Sequence, residues 1–292
     1  MKSNHLGFTL VELMVALALG LIIVAAAVQL LISGQSTLTF QKAIESVQDN
    51  ANIGMNYISA DIRQTNLDVG GRKMSNTVPS GLVINKASFP STMTTTDLPL
   101  SASATGETFA DAKSDVLVIQ YRPAQLHGFD CEGTEITSTN SMVVQKYFIR
   151  KDTKSKGDLV LACAAGRYDL TVKDPEKPAL TGLTASSDGQ VILQRVDQFK
   201  VLVGVVNESN QMRYLTLSEY SSAASTIRPV TLQIGVLVRS VGNAGVNTVV
   251  PKTYSLLNTA YKVSNPKDVG GKFLRVPVEQ TIALRNAIGD VQ

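Results

Sequence analysis

The chain has 292 residues, 44% of them apolar, and this is long enough to bury a substantial core. Its 27 basic and 24 acidic residues nearly cancel, and they form no basic block of the kind that grips phosphate backbones. With no Trp and 5% aromatic residues, the chain has little with which to stack bases or sugars, so a globular protein without nucleic-acid or carbohydrate ligands is expected.

The first predicted element is a membrane helix near the N-terminus. Residues 13–28 carry no charge, and the apolar run extends over residues 8–32 with one carboxylate in it, at Glu12. At 1.5 Å per residue this run is long enough to span a bilayer. Lys2 precedes the run and Lys42 is the next basic residue, which predicts a cytoplasmic N-terminus and an extracytoplasmic remainder.

A cleaved secretory signal peptide has a similar basic start and apolar centre. Glu12 argues against that alternative, because an ionised side chain inside a membrane segment costs roughly 2.5 to 3.5 kcal/mol and is usually kept for a role. The small residues that could mimic a signal-peptidase site, at 25–27, lie inside the helical run rather than before a turn. The carboxylate therefore favours a helix that is retained.

The residues GFTLVEL at positions 7–13 resemble the class III leader of type IV prepilins and type II secretion pseudopilins. The resemblance implies that a prepilin peptidase cuts between Gly7 and Phe8, removes the leader peptide (residues 1–7) and N-methylates Phe8. Cleavage creates a cationic amine on Phe8. In a filament this amine can pair with Glu12 of a neighbouring subunit, which would offset the burial cost of both charges and set the register.

Beyond the membrane the apolar residues become one-sided. They recur at intervals of three or four, at Ile44, Val47, Ala51, Met55, Ile58 and Ile62. Polar residues lie between them, Asp61 included, and this pattern predicts an amphipathic helix that packs on a folded domain.

No proline interrupts residues 8–66, so the two patterns are predicted to form one helix of roughly 85 to 90 Å. We assign residues 8–35 to a transmembrane and filament-core half and residues 36–69 to an amphipathic half. Gly70-Gly71 is predicted to end the helix. A membrane anchor followed by an unrelated helix fits the same pattern.

The remainder is predicted to be a Ser/Thr-rich connecting loop region (70–113) and a β-rich head (114–292). The strand candidates are residues 115–121, 142–150, 158–162, 191–206 with a break near Asp197, 213–217, 230–240 and 273–284. Their β-branched content and spacing predict antiparallel sheets, and residues 218–226 read as a Ser/Ala-rich loop. The predicted fold is α+β, with the long helix packed on the sheets.

Two cysteines, Cys131 and Cys163, are too few to form a zinc site alone. In an oxidising compartment they are expected to form a disulfide. Closing a loop of about 33 residues would stabilise the fold by roughly 3 to 4 kcal/mol on the chain-entropy model. Two free buried thiols are the alternative.

The sequence does not support catalysis or a cofactor. Its two histidines, His5 in the leader and His127 in a predicted loop, cannot build a triad or a multi-histidine metal site. Residues 152–158 resemble a calcium loop at their acidic ends, but Lys154 and Lys156 stand where carboxylates are needed, so a hairpin turn is predicted. No phosphate-binding glycine loop is present, and assembly energy must come from a partner ATPase.

Several short segments of the head occur in an order that resembles PilW-type minor pilins. They are residues 114–117 (SDVL), 130–133 (DCEG), 196–204 (VDQFKVLVG), 213–216 (RYLT), 236–240 (VLVRS) and 281–286 (TIALRN). The resemblance implies a low-abundance subunit that joins other minor pilins in a complex that initiates type IV pilus assembly and sits at the tip, often beneath an adhesin.

The expected partners are the prepilin peptidase, other minor pilins, the major pilin and a tip adhesin. The expected location is the inner membrane with the head in the periplasm before assembly, and afterwards the pilus at the cell surface. Two alternatives remain: a J-type minor pseudopilin of a type II secretion system, and a tip module that binds DNA or a host surface.

Overall fold

The structure is a computed structural model that describes residues 9–66, 80–90, 93, 97–155, 157–172, 178–184, 186–223, 226–244, 249–265 and 271–286. Its elements in chain order are α1 (Leu10–Gln64), a 3-10 turn (Lys86–Ser88), β1 (Ala102–Gly106), β2 (Ser114–Tyr121), β3 (Ser141–Lys151), β4 (Leu159–Asp169), β5 (Gln190–Gln194), β6 (Val196–Val206), β7 (Met212–Thr216), α2 (Leu217–Ser221), β8 (Arg228–Asn243), β9 (Thr253–Leu256), β10 (Thr259–Lys262) and β11 (Phe273–Ala283).

The predicted long helix is continuous: α1 contains 55 residues and is about 82 Å long. It ends at Gln64, earlier than predicted. Thr65 is extended and its hydroxyl donates to the Ile62 carbonyl oxygen at 2.6 Å, while Asn66 adopts a left-handed φ of 64°. The amphipathic half therefore stops short of residue 69, and Gly70-Gly71 lie outside the described residues.

The predicted α+β architecture is confirmed. A five-stranded sheet has the order β1-β2-β3-β4-β5, a four-stranded sheet has the order β11-β8-β6-β7, and β9 and β10 form a hairpin. All of these strand pairs are antiparallel. The apolar stripe of α1 and the inner faces of both large sheets share one hydrophobic core, so the helix acts as the spine of the head.

The predicted connecting loop, residues 70–113, is wrong in its described part. β1 pairs with β2, and Leu82 and Val83 are fully buried against the same sheet. The Val83 amide donates to the Val118 carbonyl oxygen at 3.0 Å. β1 has the sequence ASATG, and this edge strand is held by backbone bonds and by Asp115 rather than by a pattern of apolar side chains.

Each predicted strand is present, with changed limits. The run 191–206 is two strands, and its break falls at Arg195 (φ 53°), two residues before Asp197. β4 extends to Asp169, beyond the predicted end at 162, because it pairs with β3 along its whole length, up to Ser141 opposite Asp169. Its small residues allow Leu183 to approach closely: a Cβ at Gly166 would lie 2.5 Å from the Leu183 Cβ. β9 and β10 were not predicted, since each has only four residues.

The predicted loop at 218–226 is also partly wrong, because α2 occupies its first turn. Thr216 caps this helix: its hydroxyl accepts from the Glu219 amide at 3.2 Å, and the Glu219 carboxylate accepts from the Thr216 amide at 2.7 Å. The motif T-x-x-E is the signature of a capping box, and it was visible in the sequence.

Buried charges join the strands at the end of the head where β6 begins. Asp197 is completely buried and accepts from Arg239 Nε at 3.2 Å and from Arg275 Nε at 2.6 Å. Arg239 also pairs with Asp158 of the turn between β3 and β4. The Asp197 and Asp158 carboxylates together balance the guanidinium groups from β8 and β11. The cluster links three strands of one sheet to the turn between two strands of the other.

Candidate assembly surface

Residues 10–42 of α1 are exposed at every position, and we call this segment the stem. It is about 50 Å long. α1 is long and apolar enough to cross a membrane, and its membrane-spanning window lies in the stem. Large apolar side chains such as Leu10 and Leu30 are not covered by any of the residues that the structure describes. Apolar surface of this extent requires lipid or other apolar protein around it.

Thr9 and Glu12 build the tip of the stem. The Glu12 carboxylate accepts from the Thr9 amide at 3.1 Å and from the Thr9 hydroxyl at 3.0 Å, while the Glu12 amide donates to that hydroxyl at 3.3 Å. This capping box satisfies the first donors of the helix and orients the carboxylate toward its N-terminus. The carboxylate remains exposed, so a cationic group from another chain can reach it.

Gly7 and Phe8 lie outside the described residues. The cleavage between them, the N-methylation of Phe8 and the pairing of its amine with Glu12 therefore stay predictions. Thr9 directly follows the predicted new N-terminus at Phe8, so processing would leave the capping box intact.

The stem meets the head at Ala43, the first buried residue of α1. Asn50 then joins α1 to β5: its side-chain nitrogen donates to the Gln194 carbonyl oxygen at 2.7 Å, and its side-chain oxygen accepts from the Gln194 amide at 3.3 Å. One turn later Gly54 allows close approach, since a Cβ there would lie 2.2 Å from Leu193 Cγ. These contacts fix the direction in which the stem leaves the head.

The predicted disulfide is confirmed: Cys131 and Cys163 are bonded, with their Cα atoms 6.0 Å apart. Cys163 lies in β4, and Cys131 lies in the long loop between β2 and β3. Arg167 of β4 holds the same loop, because its guanidinium pairs with the Asp130 carboxylate at 2.7 Å and donates to the Glu135 carbonyl oxygen at 2.7 Å. The loop is therefore fixed to the sheet at several points.

Asp61 was predicted to lie among the polar residues of the outer face of α1, and this is wrong. Its residue surface is 7% exposed, and its carboxylate accepts from the Tyr147 hydroxyl at 2.5 Å. Burial raises the pKa of Asp61 to about 6, and the nearby Asp130 carboxylate adds to this rise, while the Tyr147 hydrogen bond opposes it. Position 61 follows Ile58 by three residues, and in the structure it lies at the edge of the buried stripe.

The remaining predicted sites are far from the stem. His127 is exposed and its Nδ1 lies 2.6 Å from a Glu135 carboxylate oxygen. Within the described ranges, no group of three His, Cys, Asp or Glu side chains could hold a metal ion. The predicted turn at 152–158 does join β3 to β4, and the Asp152 carboxylate accepts from the Lys154 amide at 3.0 Å.

Comparisons with known proteins point to the same two regions. The family model for PilW, described as type IV pilus-assembly protein W, matches residues 146–286, and the model for the prokaryotic N-terminal methylation motif matches residues 2–28. A solved type IV-like pilin from Thermus thermophilus aligns with 82% of this chain and 95% of its own, at 12% identity and a TM-score of 0.35. No curated protein matches the chain.

Proposed function

We propose that this chain is a minor pilin that takes part in initiating pilus assembly, in a minor-pilin complex at the pilus tip. The match of residues 2–28 to the N-terminal methylation motif and the match of residues 146–286 to the PilW model support the proposal. The observation that carries the proposal is the contrast within α1. A fully exposed apolar stem is joined to a head that buries its own core. Such a chain contributes its apolar stem to a larger assembly, and its folded head lies outside the bundle of stems.

The stem accounts for two successive states of the chain, first in the inner membrane and then in the pilus. In the inner membrane its apolar surface is solvated by lipid, with the N-terminus cytoplasmic and the head periplasmic. Leaving the bilayer is favourable only if the same surface is covered elsewhere, and the stems of other minor pilins and of the major pilin offer that cover. The prepilin peptidase acts before this step, cutting between Gly7 and Phe8 and methylating the new amine.

Glu12 makes the association of the stems selective. Its carboxylate is capped by its own Thr9 and exposed, so it can accept the Phe8 amine of an adjacent subunit while keeping the helix cap. In an apolar stem bundle an unpaired carboxylate is costly, and the pair removes that cost. The pairing then favours one axial register between stems.

Glu12→Ala tests this role, with Glu12→Gln as the matched variant that keeps an acceptor for the cap but has no charge. We expect both variants to be cleaved at Gly7 and to disappear from sheared pili, because both lack the charge. Glu45→Ala, which changes an exposed carboxylate beyond the stem, should be incorporated normally. Normal incorporation of Glu12→Gln would show that the cap matters and that the charge pair does not.

Two measurements test the wider proposal. Mass spectrometry of the mature N-terminus should find Phe8 first with one added methyl group, whereas a mature chain that begins after Ala27 would contradict prepilin processing. Deleting the gene should abolish or sharply reduce surface pili and leave exoprotein secretion intact. The reverse result would favour the J-type pseudopilin of a type II secretion system.

A further inference from the structure

The head leaves a group of apolar side chains uncovered beside α1. Beyond Phe40, the described part of the chain exposes nine large hydrophobic residues, and five of them are divided among the ends of β4 and β8, β7 and the segment before β9. The other four are Ile53 (72% exposed), Tyr57, Leu126 and Phe129 (64% exposed). We call these four residues the lateral patch.

The members of the lateral patch are neighbours on one surface. Ile53 and Tyr57 are four residues apart on α1, so they lie on the same face of the helix. The Tyr57 hydroxyl donates to the Asp130 carbonyl oxygen at 3.3 Å, which places the loop that carries Phe129 and Leu126 directly beside that face. This contact brings the exposed apolar side chains of the helix and of the loop to the same side of the head.

The loop side of the lateral patch is held in place. The Cys131–Cys163 disulfide and the Arg167–Asp130 pair lie next to Phe129 in the chain, and the His127 amide donates to the Ile136 carbonyl oxygen at 3.0 Å. An exposed aromatic side chain on a fixed loop loses little conformational entropy when a partner covers it. Aromatic anchors of this kind carry much of the binding energy in protein interfaces.

The direction of the lateral patch limits what can cover it. Ile53 lies 21 residues beyond Ile32, the end of the apolar run, which corresponds to about 32 Å along the helix. Lipid is therefore out of reach when α1 stands across the membrane. Side chains on α1 project outward from its axis, so the lateral patch faces a neighbour that stands beside this chain on the same membrane.

The lateral patch is also aligned with the stem. Leu17 precedes Ile53 by 36 residues and Leu21 precedes Tyr57 by the same number, and 36 residues make about ten turns of an α-helix. The two pairs therefore share one face of α1, with polar residues such as Lys42 and Asp49 between them. A subunit that packs its stem along Leu17 and Leu21 has its head beside Ile53 and Tyr57.

We infer that the lateral patch is the surface through which this head packs against the head of a neighbouring pilin-type subunit. The inference rests on the proposed function, because it takes the partner to be a subunit whose stem runs along the same face of α1. The stem contact then brings two membrane-anchored chains together, and the lateral patch fixes how their heads lie. An apolar contact suits this step, since both heads are already folded and only surface water must leave.

Incorporation of full-length variants into pili in the native host tests the inference. Ile53→Asp and Phe129→Asp should each reduce incorporation about tenfold, the factor that corresponds to about 1.4 kcal/mol of contact energy. Leu170→Asp, at a residue 38% exposed at the far end of β4, is the matched control and should be incorporated normally. Cleavage at Gly7 and the thermal midpoint in detergent should be unchanged in all three, because the side chains are exposed.

A photo-crosslinking phenylalanine analogue in place of Ile53 tests the partner. We expect an adduct with a second chain that carries N-methylphenylalanine at its own N-terminus, and none when the analogue replaces Leu170. An adduct only with lipid or with a protein that has no prepilin leader would overturn the assignment of the partner.

The two proposals fail in different ways. Full incorporation of Ile53→Asp and Phe129→Asp, together with loss of Glu12→Ala, would remove the lateral contact and leave the proposed function standing. Unchanged piliation after deletion of the gene would remove the proposed function itself.

Discussion

The two halves of α1 have the same backbone and opposite surroundings. Along the stem no residue is buried, whereas the half that follows buries nine residues against two sheets. The stem has a capping box at its tip and its own backbone hydrogen bonds, and its apolar side chains have no partner in the described part of the chain. The head half is stabilised by the core of the same molecule. One helix can therefore expose an uncovered apolar surface for other molecules at one end and support the folded head at the other.

Charged groups repeat this contrast. Glu12 is exposed and is held by its own Thr9, so it remains available to another chain. Asp197 is fully buried between two guanidinium groups of its own chain and has no such freedom. We therefore expect substitutions in the head to change its free energy of unfolding. Substitutions in the stem should change only the assembly of the chain into pili.

The largest expected effect is at Asp197. Asp197→Ala leaves Arg239 and Arg275 buried without their shared carboxylate, which should lower the free energy of unfolding by about 3 to 5 kcal/mol. Denaturation of the full chain in detergent, followed by tyrosine fluorescence, measures this loss. Glu45→Ala removes an exposed carboxylate and should change it by less than about 0.5 kcal/mol. Equal effects of the two variants would contradict the assignment of Asp197 as a structural charge.

A smaller effect is expected from Asp61, and it depends on pH. Burial raises the pKa of Asp61 from 3.8 to about 6 in the folded chain, so the folded state binds the proton more tightly than the unfolded state. The free energy of unfolding should therefore fall by about 2 to 3 kcal/mol as the pH rises from about 4 to above 6.

Asp61→Asn should remove this dependence, because the amide does not titrate. Comparing denaturation at pH 4 and pH 7 in the two proteins isolates the contribution of Asp61 from those of all other titrating groups. If the stability of the wild-type protein changed across this window in the same way as that of Asp61→Asn, folding would not raise the pKa of Asp61.

The smallest effect gives the most direct comparison of the two halves. Gly54→Ala places a Cβ against Leu193 in the core and should lower the free energy of unfolding by about 1 to 3 kcal/mol. Gly20→Ala makes the same change in the stem, where nothing lies within 4 Å, and should leave the unfolding of the head unchanged. Calorimetry in detergent can test both variants, and similar losses would mean that the stem and head are coupled.

Much of the head could be predicted from its sequence. The strands of β2, β3, β6, β8 and β11 have long runs of β-branched residues that decide their conformation locally. β1 has no such run and depends on β2 for its backbone bonds, so its pattern could not predict it. The break at Arg195 was placed two residues late, because the position of the break depends on pairing with β8 rather than on local composition.

The sequence by itself determined the stem, the limits of its apolar run, the T-x-x-E cap at its tip and the amphipathic face of α1, because these features depend on residues within a few positions of one another. Only the tertiary structure decided that Asp61 is buried and that the lateral patch exists. The Asp61–Tyr147 hydrogen bond joins residues 86 positions apart, and the Tyr57–Asp130 bond joins residues 73 positions apart. Contacts over such separations follow from how the loop and sheets close around the helix, and no local pattern encodes them.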